Sequence, residues 1–308
     1  MTGLCRSNRF GSLVSANMWH SRSILIFLCC VVPLLLQPSL TASQELDDEN
    51  DFDYDPCSQL GPNNWGNLNA QWRACGTGKQ QSPVNVDQSC APPDPNLNAL
   101  STAYQSADAI MKNRGHDIMV EWPSGGGTLL IGSKPYELKQ CHWHSPAEHT
   151  FNGIRYPLEL HMVHQSKIDN EIAVIGIIYG VGQFPDTFIT DKMMSALSEF
   201  ISTGQNKSNL GITRPPWIPC RSPYYRYLGS LTTPPCTEGV IWTLMKQTRT
   251  VSREQLDLLR DAVHGNDNAR PIQPLNGRIV SLYQRPRKEF SSELSTQINF
   301  FGGIDPSS

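Results

Sequence analysis

The sequence predicts a mainly β, α+β fold in a single domain, and three observations predict it. Segments that alternate apolar and polar residues, or run in β-branched and aromatic residues, recur through the middle of the chain. Two stretches carry a helical period. From about Cys57 to Tyr283 no repeat, linker or composition break divides the chain, whose 308 residues, 39% hydrophobic and 17% charged, suffice for one large core.

In chain order, the run ILIFLCCVVPLLL, Ile24 to Leu36, is 13 residues long, short of the roughly 20 that a membrane-spanning helix needs. Arg6, Arg9 and Arg22 precede it, and Thr41-Ala42-Ser43 follows as a small-x-small cleavage site. Residues 1–43 are therefore expected to be a secretory signal peptide, which leads to the extracellular space or apoplast; plastids are a destination that some plant chains reach by the same route. Six cysteines remain after it: Cys57, Cys75, Cys90, Cys141, Cys220 and Cys236. In an oxidising compartment these make disulfides plausible. Asn206-Lys207-Ser208 is a glycosylation acceptor at Asn206, consistent with that route.

Seven of the eleven residues from Glu45 to Asp55 are acidic, so residues 44–56 are expected to be a solvated leader. Strands are expected over 116–122 (HDIMVEW), 136–144 (YELKQCHWH), 156–166 (YPLELHMVHQS), 173–182 (AVIGIIYGVG) and 239–247 (GVIWTLMKQ). One helix shows in Ile189, Met193, Leu197 and Ile201, four apart; another opens on Ser252 and Gln255, a capping box before Leu256 and Leu259. Residues 284–308 are Ser-rich with a basic cluster at Arg285, Arg287 and Lys288, and read as a flexible tail without the long apolar end of a lipid anchor. A formal charge of −3 and a pI near 6.2 give no basic field for a nucleic acid partner.

Chemistry concentrates between Gln140 and Ser166, which hold five of the eight histidines. On a strand, Gln140, His142 and His144 point one way and Cys141 and Trp143 the other. Asn152-Gly153 is a type I′ hairpin signal because that turn needs positive φ at both positions. If Phe151 pairs with Ile154, His161 falls opposite His144, within a residue or so because Pro146 must interrupt the ladder. Opposed residues on one face have Cβ atoms roughly 5 Å apart. His142, His144 and His161 therefore converge, with Glu159 and Val163 on the same face. Three neutral imidazoles aimed at one point match a catalytic zinc site that keeps its fourth position open. Gln140 and Glu159 are placed to hold the second ring nitrogens. His149 and His164 fall outside this set and read as structural.

Taken with Trp65-Gly66, QSPVNV (81–86), NRGHDIMVEW (113–122), QCHWHSPAEHT (140–150), LELHMVH (158–164), GSLTTPPCTEGVIW (229–242) and ARPIQPL (269–275), the chain resembles the alpha-class carbonic anhydrases, specifically their plant and algal branch, over roughly residues 57–283. The resemblance implies a large twisted, mostly antiparallel central sheet with short peripheral helices. It implies reversible hydration of carbon dioxide to bicarbonate and a proton with zinc (Zn2+) as cofactor, and inhibition by sulfonamides and anions. His142, His144 and His161 would be the zinc ligands and Asn268 would give a backbone carbonyl to one of them. Thr232 would accept a hydrogen bond from the nucleophile and pass its own proton to Glu148, with Tyr227 in the same network. Val163, Val174, Leu231, Val240 and Trp242 would receive carbon dioxide. His116 would be the proton shuttle, its ring left at a rim by the turn-like Asn113-Arg114-Gly115. Cys75 would pair with Cys236 and Cys141 would be a buried thiol, leaving Cys57, Cys90 and Cys220, of which one is free or joins another chain.

The rival reading is a non-catalytic storage or binding protein on the same fold, a kind that typically lacks a zinc ligand or gating residue; here His142, His144, His161, Thr232 and Glu148 are all present. A zinc protease is a weaker rival still, since no H-E-x-x-H occurs and the histidines sit on strands. A Cys141–His142 nucleophile pair fails because adjacent strand residues face opposite ways.

Overall fold

The computed structural model describes residues 51–285. The expected signal peptide, the start of the acidic leader and the tail after Arg285 lie outside the described residues. The strands build a 12-stranded sheet whose main path runs Lys207–Thr213, Ala107–Asn113, Ile118–Glu121, Lys134–His144, Leu158–Gln165, Ile172–Val181, Glu238–Met245, Tyr224–Ser230 and Ser281–Tyr283. Neighbours on this path are antiparallel except Ile172–Val181 and Glu238–Met245, which are parallel. The mainly β fold with a large, mostly antiparallel sheet is the one expected.

Alternation decides what each face of the sheet covers. Cys141, Trp143, Leu160 and Met162 enter one large core, closed by Met193, Leu197 and Phe200 of the Asp191–Thr203 helix and by Leu256 and Leu259 of the Arg253–Asp261 helix. Val163, Val174, Val240 and Trp242 enter a second core on the other face. The Ser252–Gln255 capping box forms in both directions. Ile201, expected in the core, is 45% exposed, and Phe200 is buried instead. A four-residue step overshoots a 3.6-residue turn by roughly 40°, so a side chain two steps beyond Met193 has rotated off the buried face.

Two further expectations are corrected. The acidic leader does not stay solvated to residue 56: Phe52 is 2% exposed and packs edge-on against Trp65 and Trp72, in a cluster with the Cys75–Cys236 disulfide. Two aromatic residues, Phe52 and Tyr54, among seven carboxylates are enough to anchor the end of the segment, which the charge count alone conceals. The hairpin forms as expected, with φ of 52° at Asn152 and 77° at Gly153 and Phe151 opposite Ile154. Beyond the Ser145–His149 interruption, however, His161 pairs with His142, and Glu159 with His144. The register is thus displaced by two residues, and an even displacement keeps every side chain on its face.

Candidate metal centre

The H-x-H strand (Lys134–His144) and the E-L-H strand (Leu158–Gln165) bring His142, His144 and His161 together with ring centroids 4.6 to 5.2 Å apart. One nitrogen from each lies within 4.8 Å of the others, and all three rings are buried. Each ring is turned by a bond to its other nitrogen. His142 Nδ1 donates to Gln140 Oε1 at 2.9 Å, and His144 Nδ1 donates to the Asn268 carbonyl at 2.7 Å. His161 Nε2 donates to Glu159 Oε1 at 2.9 Å. That leaves Nε2 of His142, Nε2 of His144 and Nδ1 of His161 as the atoms able to hold an ion.

The donor set fits zinc. Three imidazole nitrogens without a thiolate match a catalytic rather than a structural zinc site, and His144 Nε2 is buried with no hydrogen-bond partner among the described residues. Such an orphaned acceptor is costly unless a cation or water meets it. Burial holds His142 well below the usual imidazole range, which favours the neutral form a ligand needs. Burial also pushes His144 down, but Glu148, whose Oε2 lies 3.7 Å away, and the Asn268 carbonyl reverse that, and its pKa is raised.

Glu159 organises more than one ring. Its Oε1 takes bonds from His161 and from His149 Nδ1, at 2.9 and 2.8 Å, and its Oε2 accepts from the His149 backbone N–H. Burial would raise its pKa, but His149 and His161 hold it well below the carboxylate range. An ionised carboxylate only accepts, so both histidines donate to it. His149 Nε2 must then accept from the Tyr227 hydroxyl at 2.7 Å, and Tyr227 accepts from Ser82 Oγ at 2.8 Å. Ser82 Oγ in turn accepts from the Ser230 backbone N–H. Every donor direction in this chain is set by its two ends, and the outcome at His161 is a lone pair on Nδ1.

His149, Ser82 and Gly176 were missed as site residues. His149 turns both ring nitrogens to protein partners, Glu159 Oε1 and the Tyr227 hydroxyl, and so stays outside the triad; Glu159, standing two residues before His161 with a second histidine ten positions back, is the signal that would have found it. Gly176 pairs opposite His161, and a Cβ there would come within 2.6 Å of Leu244 and 3.0 Å of Glu159 Oε1. Its bare backbone makes room for the carboxylate.

The remaining candidates are brought together in part. Val163, Val174, Leu231, Val240 and Trp242 share one core with Tyr227, and the Trp242 ring lies 4.8 Å from His161. Thr232 is buried in a loop held by Leu231 N–H to the Thr237 carbonyl and Cys236 N–H to the Thr233 carbonyl. The implied Thr232–Glu148 bond is not made: Glu148 Oε1 accepts from the Arg270 backbone N–H at 2.8 Å, and Oε2 has no hydrogen-bond partner among the described residues, only the longer approaches of His144 and His161. Tyr227 belongs to the Glu159–His149 chain instead of that pair. His116 is corrected too. Its ring is 3% exposed, beneath Phe52 and Tyr54 at 5.4 and 6.5 Å, because the leader folds over the turn that was to expose it. Burial pushes its pKa down to about 4. Cys75 and Cys236 are disulfide-bonded, Cys141 is a buried thiol, and Cys57, Cys90 and Cys220 are exposed thiols. Asn206 is exposed.

Comparison with known proteins places these features. The family model of eukaryotic-type carbonic anhydrases matches residues 60–284. Alpha carbonic anhydrase 7 of Arabidopsis thaliana is 44% identical over 245 residues, 78% of this chain and 87% of that one. Among solved structures, dioscorin complexed with ascorbate is 39% identical with a TM-score of 0.74, covering 77% of this chain and all of its own. The alpha-carbonic anhydrase of Thermovibrio ammonificans, in complex with the inhibitor sulfanilamide, is 37% identical with a TM-score of 0.66, covering 78% of this chain and all of its own.

Proposed function

Since the chain belongs to the eukaryotic-type carbonic anhydrase family, we propose that it is a zinc enzyme that reversibly hydrates carbon dioxide to bicarbonate and a proton. The observation that carries this reading is the set of three buried imidazoles, each turned by a named acceptor so that one lone pair faces a common point. A bound zinc ion would lower the pKa of a water molecule to about 7 and so supply a nucleophile at neutral pH.

The chain's own residues do the rest. Val163, Val174, Leu231, Val240 and Trp242 offer an apolar wall to a small apolar substrate. Glu148 lies beside the histidines, its Oε2 3.7 Å from His144 Nε2, and we assign to it and to the buried Thr232 hydroxyl the task of orienting the nucleophile. His116 is the histidine we assign to proton transfer, a task that suits an imidazole of pKa near 6.5. It requires the ring to leave its place under Phe52 and Tyr54. His116→Ala should lower turnover in weak buffer, spare kcat/KM and recover with added imidazole; unchanged turnover in weak buffer would remove His116 from the mechanism. Sulfonamides and simple anions are expected inhibitors, and entry to the secretory pathway, with a glycan at Asn206, is the expected setting.

The deciding experiment is zinc analysis of the purified chain combined with a carbon dioxide hydration assay, on the wild type and on His144→Ala. One zinc per chain and hydration activity, both lost in the variant, are expected. The likeness to dioscorin favours a second reading, a storage or binding protein on this fold, and zinc content without hydration would point to it.

A further inference from the structure

The turn that carries His116 is pinned from several sides. Its flanking strands, Ala107–Asn113 and Ile118–Glu121, pair as far as Asn113 opposite Ile118, so residues 114–117 make the connection. Arg114 N–H donates to the Asp117 carbonyl, and the two buried side chains meet through Nε to Oδ1 at 2.8 Å and Nη2 to Oδ2 at 2.5 Å. Asn113 Oδ1 accepts from the Gly115 N–H while Asn113 Nδ2 donates to the Ala262 carbonyl, and Asn268 Nδ2 donates to the carbonyl of His116 itself. A buried bidentate ion pair is costly to open. The backbone of His116 therefore holds its place, and the ring moves only by turning about its own side-chain bonds.

What covers the ring is held differently. Residues 52–60 form a loop that closes on itself: Asp53 N–H donates to the Leu60 carbonyl, and the Asp53 carboxylate accepts from the Asp55 N–H and the Ser58 hydroxyl. The loop hangs on Trp65, whose Nε1 donates to the carbonyls of both Asp53 and Leu60. Phe52 and Tyr54 then pack edge-on against Trp65, at 5.4 and 5.5 Å, and lie over His116. Such ring contacts are worth little each and separate one at a time. Beside them a hollow of about 610 Å³ is bounded by the loop, by Gly115 and His116, and by residues 263–268, which leaves room for movement.

We propose that Phe52 and Tyr54 are positioning residues for His116: the 52–60 loop is a movable cover whose rings hold the imidazole inward, and its displacement sets how fast His116 gives its proton to a base in solvent. This rests on the reading of His116 as the proton carrier. A carrier that takes up a proton inside and delivers it outside must present one ring to both sides in every cycle. With the turn fixed, the cover is the part that yields.

Accessibility of the ring is the direct readout. Diethylpyrocarbonate labelling of the full chain, followed by peptide mapping, measures it, with exposed His264 and fully buried His164 as references. Losing one aromatic contact is enough to shift an open–closed equilibrium about tenfold. Labelling of His116 should therefore rise by about that factor in Tyr54→Ala and in Phe52→Leu, and stay at the wild-type rate in Tyr54→Phe, which keeps the ring. His264 should react alike in all of them and His164 in none. In weak buffer the two opened variants should turn over carbon dioxide faster than wild type with kcat/KM unchanged, and concentrated imidazole should erase the difference. Wild-type labelling of His116 in both opened variants would overturn the proposal, as would a rise shared by His164, which is general loosening. More labelling without faster turnover, in a protein that His116→Ala slows, would overturn the gate and leave the proton carrier standing. If His116→Ala changes nothing in weak buffer, the proton-carrier reading itself fails, and the gate falls with it.

Discussion

At the scale of single residues, the chain from Glu159 through His149 to Tyr227 shows how one carboxylate sets several protonation states. Glu159 accepts three N–H groups at 2.8 to 2.9 Å, and a glutamine there could accept at one oxygen only. Its amide would oppose an N–H and force a histidine to change tautomer. If His161 changes, the proton moves to Nδ1, the atom turned toward His142 and His144. Glu159→Gln should therefore weaken zinc binding about 10- to 100-fold in chelator competition, in line with other partners of metal-ligating histidines; an unchanged affinity would show that Glu159 does not set the tautomer. A second histidine reports on pH. His164 Nδ1 donates to the Ala173 carbonyl, so Nε2 accepts from the Tyr104 hydroxyl at 2.7 Å, and the fully buried ring is held neutral. Burial pushes its pKa to about 4, below the value near 6.5 of an unfolded histidine. The unfolded chain then binds more protons between those values, so stability is full above pH 6.5 and falls as pH drops toward 4, by about 3 kcal/mol for this group. Denaturant unfolding at pH 7, 5.5 and 4.5 checks this: His164→Gln should be less stable than wild type at pH 7, and the gap should narrow with acidity. A constant gap would mean that His164 does not titrate on unfolding.

At the scale of elements, the site depends on strand parity more than on exact pairing, which explains how much of it was legible. The H-x-H and E-L-H patterns state which face each imidazole occupies, so the triad survives a register that differs by two residues. What the alternation does not encode is the interruption at Ser145–His149, because its geometry comes from bonds to distant partners: Ser145 N–H to Asn268 Oδ1 and His149 N–H to Glu159 Oε2. The same holds for the polar edge strand Lys207–Thr213, where Leu210 alone is buried and no apolar pattern announces a strand. Packing across the sheet was equally hidden at Gly176, which reads in sequence as one small residue in an apolar run. Gly176→Ala should cost about 1 to 3 kcal/mol by overpacking, and it should weaken zinc binding because the new methyl meets Leu244 and the Glu159 carboxylate. Gly180→Ala on the same strand, with nothing within 4 Å of its Cβ, is the control. Equal unfolding midpoints and equal zinc affinities for the two variants would refute the close-approach argument.

At the scale of the whole molecule, the N-terminal wing is tied to the sheet by one covalent bond and one buried cation. The Cys75–Cys236 disulfide joins residues 161 apart, linking the short Ala74–Thr77 helix to the loop that carries Thr232. Arg270, 1% exposed, spans the same junction: its guanidinium donates to the carbonyls of Cys75 and Ser82 and to Gln81 Oε1, and lies over the Trp65 ring. Its backbone N–H holds Glu148. The three clustered histidines, by contrast, stand on two adjacent strands deep in the sheet and touch neither cysteine in any hydrogen bond described. Reduction should therefore act on stability first and on the imidazoles little. Closing a loop of that length is worth about 5 kcal/mol in the chain-entropy model, a large share of the roughly 5 to 15 kcal/mol of a typical domain. Cys75→Ala/Cys236→Ala, which removes the bond without leaving reactive thiols at the junction, should lower the guanidinium midpoint by an amount corresponding to several kcal/mol, while the folded variant keeps about one zinc per chain at low temperature. Loss of zinc from protein that is still folded would mean that the disulfide positions the metal centre, and an unchanged midpoint would mean that the wing contributes nothing to the stability of the sheet beneath it.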